Sequence, residues 1–369
     1  MCRRKCEVRP VQNKKWYKVS YSDLLTYLGV ILAFIIISAL KNRGVLNRSQ
    51  SGLLVPICCY IVMAVSLNLT VGILGDLSLG HAGFMSVGAF TGIITAMSLI
   101  DIVPSAPLRL AIAILVGAVF AGIVGFLVGI PVLRLKGDYL AIVTLAFGEI
   151  LKELITCLIV GFDSKGLHII FNVTGSKTAN DLDLLEGGRI IIKGAQGATG
   201  TKTIANFTAG FILVMITLVI VLNLIRSRHG RAIMAIRDNR IAAESVGIPV
   251  TKFKMIAFVT STALAGAAGA LFGLNYSNLA ASKFDFNTSI LVLVFVVLGG
   301  LGNIWGSILA TVVLYILPEA LRGFASYRML IYAIVLILVM LITNNTALKN
   351  LLDKLQIRKD QTEGGSANG

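Results

Sequence analysis

The sequence predicts an all-α membrane protein: a polytopic transmembrane helical bundle of about ten spans, with broken or re-entrant Gly-rich segments and one outward-facing insert of about 40 residues. Three observations carry this. Hydrophobic residues make up 56% of the chain and charged residues 14%, with a mean hydropathy of +0.86, against about 45–50% and about 25% in a soluble domain. Apolar runs close to the length that spans a bilayer as helix recur along nearly the whole chain. The basic residues sit between those runs and at the termini, as helix-flanking charges do.

Taken in order, the apolar runs place spans near 24–40, 53–74, 84–100, 108–130, 139–162, 205–225, 255–275, 286–298, 307–321 and 328–343. The first follows a basic segment containing Arg3, Arg4, Lys5, Arg9, Lys14, Lys15 and Lys18. It is too long for a signal-peptide core and is followed by Lys41-Asn42-Arg43 rather than a small-residue cleavage site, so it reads as a span. The run at 286–298 is shorter than a full crossing and leads into Gly299-Gly300-Leu301-Gly302, which marks a break. With this count both termini share a side. Lys and Arg resist translocation in short loops, and that side carries 20 of them against 12 on the other, so both termini are expected to be cytoplasmic.

The domain organisation that follows is a basic cytoplasmic N-terminus at 1–23, a membrane domain at 24–344 and a polar cytoplasmic tail at 345–369. Within the membrane domain, the insert at 163–205 faces outward and a basic loop at 226–254 faces inward. The insert contains β-like runs such as Arg189-Ile190-Ile191-Ile192, consistent with a small hairpin-bearing cap.

Several function classes are excluded or weakened. The net charge of +15 does not indicate nucleic acid, because no basic patch interleaved with aromatics is present. The five cysteines form no disulfide framework, and Cys2 and Cys6 lack a second ligand pair at zinc spacing, so no metal is expected. Gly197-Ala198-Thr199-Gly200-Thr201-Lys202-Thr203 superficially resembles a phosphate loop, but Thr201 intervenes where Gly must directly precede Lys. No nucleophile–base pair or metal spacing converges, which argues against an enzyme.

Three loops carry the candidate function. In the first, Gly75 to Gly83, the residues Ser78, Gly80, His81 and Gly83, with Asn68 just before, put polar groups and flexible backbone at membrane depth. Broken helices of this kind expose half-helix ends to a substrate, whereas small residues also serve close helix packing; both readings fit, and Gly299, Gly300 and Gly302 form a second such break. In the second loop, Gly137-Asp138-Tyr139 opens an apolar helix holding Thr144 and then Glu149, Lys152 and Glu153 on one face. Such charges are either functional or an ion pair that fixes packing. The third is the basic stretch containing Arg231, Arg237, Asp238, Ala242, Ala243, Glu244 and Gly247. Its apolar positions 233, 236, 241 and 243 predict a short amphipathic helix outside the membrane, ended by Gly247 as a C-cap, that docks into a partner's groove or rests on lipid headgroups.

These residues resemble a known family. The stretch Gly137-Asp138-Tyr139-Leu140-Ala141-Ile142-Val143-Thr144-Leu145 closely resembles the Gly-Asp-Tyr motif of LivM-type branched-chain amino acid ABC transporter permeases. Ser78-Leu79-Gly80-His81-Ala82-Gly83-Phe84, segment 230–273 and Val297-Leu298-Gly299-Gly300-Leu301-Gly302-Asn303 look similar too, so the resemblance covers roughly 55–340. It implies a multi-pass protein of the bacterial inner (cytoplasmic) membrane that pairs with a LivH-like permease subunit, two cytoplasmic ATPase subunits and a periplasmic amino-acid-binding protein. No cofactor is implied for this chain, since ATP is bound and hydrolysed by the partners. Segment 231–248 is then the coupling loop. Ile241-Ala242-Ala243-Glu244-Ser245-Val246-Gly247 keeps the Ala-Ala and Gly of the importer motif Glu-Ala-Ala-x-x-x-Gly but has Ile where Glu is usual.

The function implied is the permease half of an importer for branched-chain or other hydrophobic amino acids, moving solute by alternating access. Related permeases serve urea and amides, which stands as an alternative substrate class. A stand-alone secondary transporter is the rival. It needs ionisable groups within spans for a coupling ion, and only Glu149, Lys152 and Glu153 qualify.

Overall fold

The computed structural model describes residues 21–44, 47–135, 137–163, 166–172 and 188–321, together with 330, 333, 334 and 337. The expected tenth span at 328–343 therefore lies largely outside the described residues, as do the basic N-terminal residues before Tyr21 and the C-terminal tail. The chain divides into two compact units, Met1–Asn47 and Arg48–Gly369. In the first, α1 spans Tyr21–Asn42.

The second unit contains α2 (Arg48–Asn68), α3 (His81–Ser98), α4 (Ala106–Val132), α5 (Asp138–Thr156), α6 (Phe207–Arg226), α7 (Arg228–Asp238), α8 (Arg240–Ser245), α9 (Val250–Gly273), α10 (Phe286–Gly299) and α11 (Ile304–Ala320). The all-α class holds. Gln50–Leu74, Ala106–Val132, Phe207–Arg226 and Val250–Gly273 are long and apolar enough to cross a membrane, while Thr26–Lys41, Phe286–Gly299 and Ile304–Ala320 are shorter apolar helices. At about 1.5 Å per residue, the 14 residues of α10 fall short of a bilayer core of about 30 Å, and Gly300 and Gly302, both at positive φ, turn the chain into α11.

The core is built around α2, which is almost wholly buried and packs against α6, α9, α10 and α11. Beside it, α3, α4 and α9 approach at backbone distance because small residues face one another. A methyl group on Gly88 would lie 2.1 Å from the Gly266 carbonyl oxygen, and one on Gly125 would lie 2.1 Å from Thr262 Oγ1. In a membrane, where lipid is as apolar as Leu, such close approach is what holds helices together.

Two expectations are corrected here. The helix placed at 139–162 ends at Thr156, and the apolar run after it is strand β1 (Leu158–Asp163). Its β-branched Ile159 and Val160 bury their side chains in a small sheet rather than in a helix. That strand pairs antiparallel with β2 (Gly166–Phe171) on one side and β3 (Arg189–Lys193) on the other. The insert thus begins before 163, and the Arg189-Ile190-Ile191-Ile192 run forms β3 as its composition predicts. The second correction concerns the single amphipathic helix expected across 230–248. Asn239, with extended backbone at φ −156°, divides it into α7 and α8.

Candidate functional site

The segment from α6 to α9 is shaped by its polar punctuation. Ser227 accepts a hydrogen bond from the Gly230 N–H at 3.1 Å and caps α7, while Asn239 Oδ1 accepts from the Ala242 N–H at 3.0 Å and caps α8. Gly247, at φ +82°, closes α8: its N–H donates to the Glu244 carbonyl and the Ile248 N–H to the Ala243 carbonyl. This is the double bond pattern of a left-handed helix C-cap, as the sequence predicts.

The two faces of this segment differ. Ile233 packs with Leu69, Ile73, Leu74 and Ala257, and Ile236 and Ala243 pack with Val250. Ile241, expected on the same apolar face, points outward instead: it and Val246 are each 78% exposed. The division at Asn239 rotates α8 relative to α7, which removes Ile241 from the buried stripe. Arg231, Asp238, Ala242, Glu244 and Gly247 share the exposed side, with ion pairs joining Arg237 to Asp238 at 3.2 Å and Arg240 to Glu244 at 3.0 Å.

The inward side of α7 lies on the broken end of α2. There, Leu69–Leu74 is π-helical and ends at Gly75 in the left-handed region, φ +82°. Helix ends leave carbonyls without partners, and Arg237 supplies one: its Nη1 donates to the Gly72 carbonyl at 3.0 Å. A methyl group on Gly75 would lie 2.7 Å from Arg237 Cγ, so the glycine admits the arginine stem. Next to it, Lys254 Nζ pairs with the Asp76 carboxylate at 2.5 and 2.7 Å, anchoring the break to α9.

From Gly75 the chain runs back along α2 without helix before α3 begins at His81. Its destination is Ser66, whose Oγ lies 2.9 Å from His81 Nε2. Ser66 precedes Leu74 by about two turns, about 12 Å of helix, so the start of α3 is buried well inside the bundle. Ser66 gives its own proton to the Met63 carbonyl, leaving His81 as the donor. Thr144 Oγ1 accepts the Leu79 N–H at 3.1 Å and Ser289 Oγ accepts the Ala82 N–H at 3.2 Å. Gly80 and Gly83 abut Thr144 and Gly148 of α5 at backbone contact. Ser78 is buried, and its hydroxyl makes no hydrogen bond among the described residues.

The second break joins the first. Asn68, fully buried, accepts the Gly302 N–H at 2.8 Å through Oδ1 and donates to Ser307 Oγ at 3.0 Å through Nδ2. Gly299 lies against Gly306 and Ser307 across the α10–α11 turn, and Gly300 makes the turn. Asn68, Gly72, Gly302 and Arg237 are thus gathered in one place.

Other expected residues stand apart from that gathering. Gly137 precedes α5, Asp138 begins it and Tyr139 is strongly exposed. Glu149 pairs with Lys152 at 2.5 Å, and Glu153 lies 3.3 Å from the same amine. The sequence does not mark Ser66, Asp76, Lys254, Ser289 or Ser307 as site residues. One signal was present for Asp76 and Lys254: opposite charges beside two apolar runs that the span count puts on the same side.

This geometry is a mechanical junction between a surface segment and two helix breaks. Residues 49–342 match the family model described as branched-chain amino acid transport system / permease component. The chain is 31% identical over 357 residues to the high-affinity branched-chain amino acid transport system permease protein LivM of Salmonella typhimurium, covering 92% of this chain and 79% of that one. It is 33% identical over 321 residues to the LivM of Escherichia coli, covering 84% and 72%. It is also 26% identical over 296 residues to a probable branched-chain amino acid transport permease protein LivH of Methanocaldococcus jannaschii, covering 76% and 86%. No solved structure matches the chain. With the family model spanning most of its length, this chain belongs to the branched-chain amino acid transport permeases, membrane proteins that move solute rather than transform it.

Proposed function

We propose that the chain is the permease subunit of an ATP-binding-cassette importer and forms half of the translocation pathway for branched-chain or other hydrophobic amino acids. The observation that carries this reading is the two-sidedness of α7–α8. One face is packed onto the broken end of α2 through Ile233 and Arg237; the other presents Ile241 and Val246 outward among charged residues. Exposed apolar side chains rimmed by charge fit the groove of a partner protein. In this reading the partner is an ATPase subunit, one of two on the cytoplasmic side, so both termini are cytoplasmic and the sheet-bearing insert faces the periplasm.

A LivH-like subunit completes the pathway and a periplasmic amino-acid-binding protein delivers the solute. The likeness of this one chain to both LivM and LivH proteins supports a pair of related permeases. The stand-alone transporter is less well supported, because Lys152 is paired with Glu149 at 2.5 Å and the one carboxylate in excess, Glu153, is 63% exposed rather than enclosed as a coupling-ion site requires.

The test is a substitution on the exposed face. Ile241→Asp changes a side chain that is 78% exposed among the described residues, so insertion and folding are retained. Co-purification with the ATPase subunit is expected to be lost; an unchanged yield of the complex contradicts the docking role.

A further inference from the structure

Asn68 uses both halves of its carboxamide on the α10–α11 turn, 234 and 239 positions away in sequence. A buried Asn that merely glues two straight helices needs no special backbone on either side. Here both sides are special. The α2 side is the π-helical Leu69–Leu74, and the α10–α11 side holds Gly300 and Gly302 at positive φ. Gly72 is shaped to the contact: a methyl group there would lie 1.9 Å from Asn68 Oδ1 and 2.2 Å from the Gly302 nitrogen. On the Gly72 carbonyl sits Arg237 of α7, and the same Nη1 is 3.9 Å from where a Cβ on Gly302 would stand.

A π-helical stretch differs from an α-helical one by a one-residue slide of its hydrogen bonds, and such stretches recur at functional sites. Energetic coupling is carried by elements with two discrete arrangements, and a register slide is the change such a stretch has open to it. We propose that the Asn68 carboxamide is the latch that makes the two helix breaks move as one, and that Arg237 is the arm through which α7 moves them. Both are positioning residues: neither touches nucleotide, and each acts through backbone it holds. The inference rests on the proposed importer function, and it specifies how force applied to α7–α8 reaches both breaks.

The test uses the assembled transporter in proteoliposomes with ATP inside and the binding protein and leucine outside, reading ATP hydrolysis and leucine uptake together. Asn68→Ala is expected to lower the uptake per ATP hydrolysed by about tenfold, within the range by which single residues alter coupling. Ser307→Ala, which keeps the Gly302 bond, lowers it by a smaller factor. Arg237→Lys, retaining a donor for the Gly72 carbonyl, keeps more of the ratio than Arg237→Gln. A purely structural role lowers uptake and hydrolysis in proportion and leaves the ratio unchanged, and that result overturns the latch. If Asn68→Ala does not assemble, an unchanged ratio in both Ser307→Ala and Arg237→Gln overturns it equally. Absence of ATP-driven uptake in the unsubstituted complex refutes the importer reading instead.

Discussion

The sheet-bearing insert and the α7–α8 junction are held by different kinds of bond. The insert is tied to the loop after α9 chiefly through backbone: Ala198 and Leu279 exchange N–H and carbonyl at 2.9 Å both ways, and the Thr201 N–H reaches the Ser277 carbonyl at 3.0 Å. The junction is tied by side chains, namely Arg237 to Gly72, Asn68 to Gly302 and Ser307, and Lys254 to Asp76. Backbone ladders tolerate replacement of most side chains and favour one geometry. Side-chain ties at helix breaks can be remade elsewhere, which suits a part that moves. On the proposed function, the insert serves as a platform and the junction as a joint.

Substitutions in the two regions are expected to differ in cost. The largest stability effect is expected at Lys254→Ala, which leaves Asp76 without its partner in a largely buried setting and costs about 3–5 kcal/mol. Thermal unfolding of the detergent-solubilised protein measures it, and Lys254→Arg should restore part of the loss. Next comes Gly80→Ala, whose methyl group would fall 2.0 Å from the Thr144 carbonyl oxygen. Neither backbone yields easily there, so about 1–3 kcal/mol is expected, read in the same assay. Smallest is Thr201→Val in the insert, which removes the hydroxyl bond to the Tyr276 and Ser277 carbonyls but leaves the backbone bond in place. About 1 kcal/mol is expected there. Were Thr201→Val as damaging as Lys254→Ala, the division into platform and joint would have no basis.

Much of this was legible in the sequence, and the exceptions share a cause. The short α10 with its Gly-rich end, the strand at Arg189, the Glu149–Lys152 pair and the cap at Gly247 are local signals, readable from length, β-branching, spacing and a single glycine. The Asn68–Gly302 contact has no local signature, because its partners are 234 positions apart and an Asn in an apolar span looks the same whichever helix it meets. The π-helical turn was equally silent, since Leu69-Thr70-Val71-Gly72-Ile73-Leu74 has the composition of any span. The end of α5 carries no hydropathic mark, because Leu158-Ile159-Val160 is as apolar as the helix before it and hydropathy alone does not separate a buried strand from a span. Ile241 leaves the apolar face because helical period does not carry across Asn239, where the helix stops.

On the proposed function, α7–α8 is driven by an ATP-hydrolysing partner subunit. The most direct measurement compares leucine uptake by proteoliposomes holding the permease subunits alone with uptake by those holding the complete complex and ATP. Uptake only in the second is the predicted result. Concentrative uptake by the permease subunits without the ATPase would refute the ATPase-driven role.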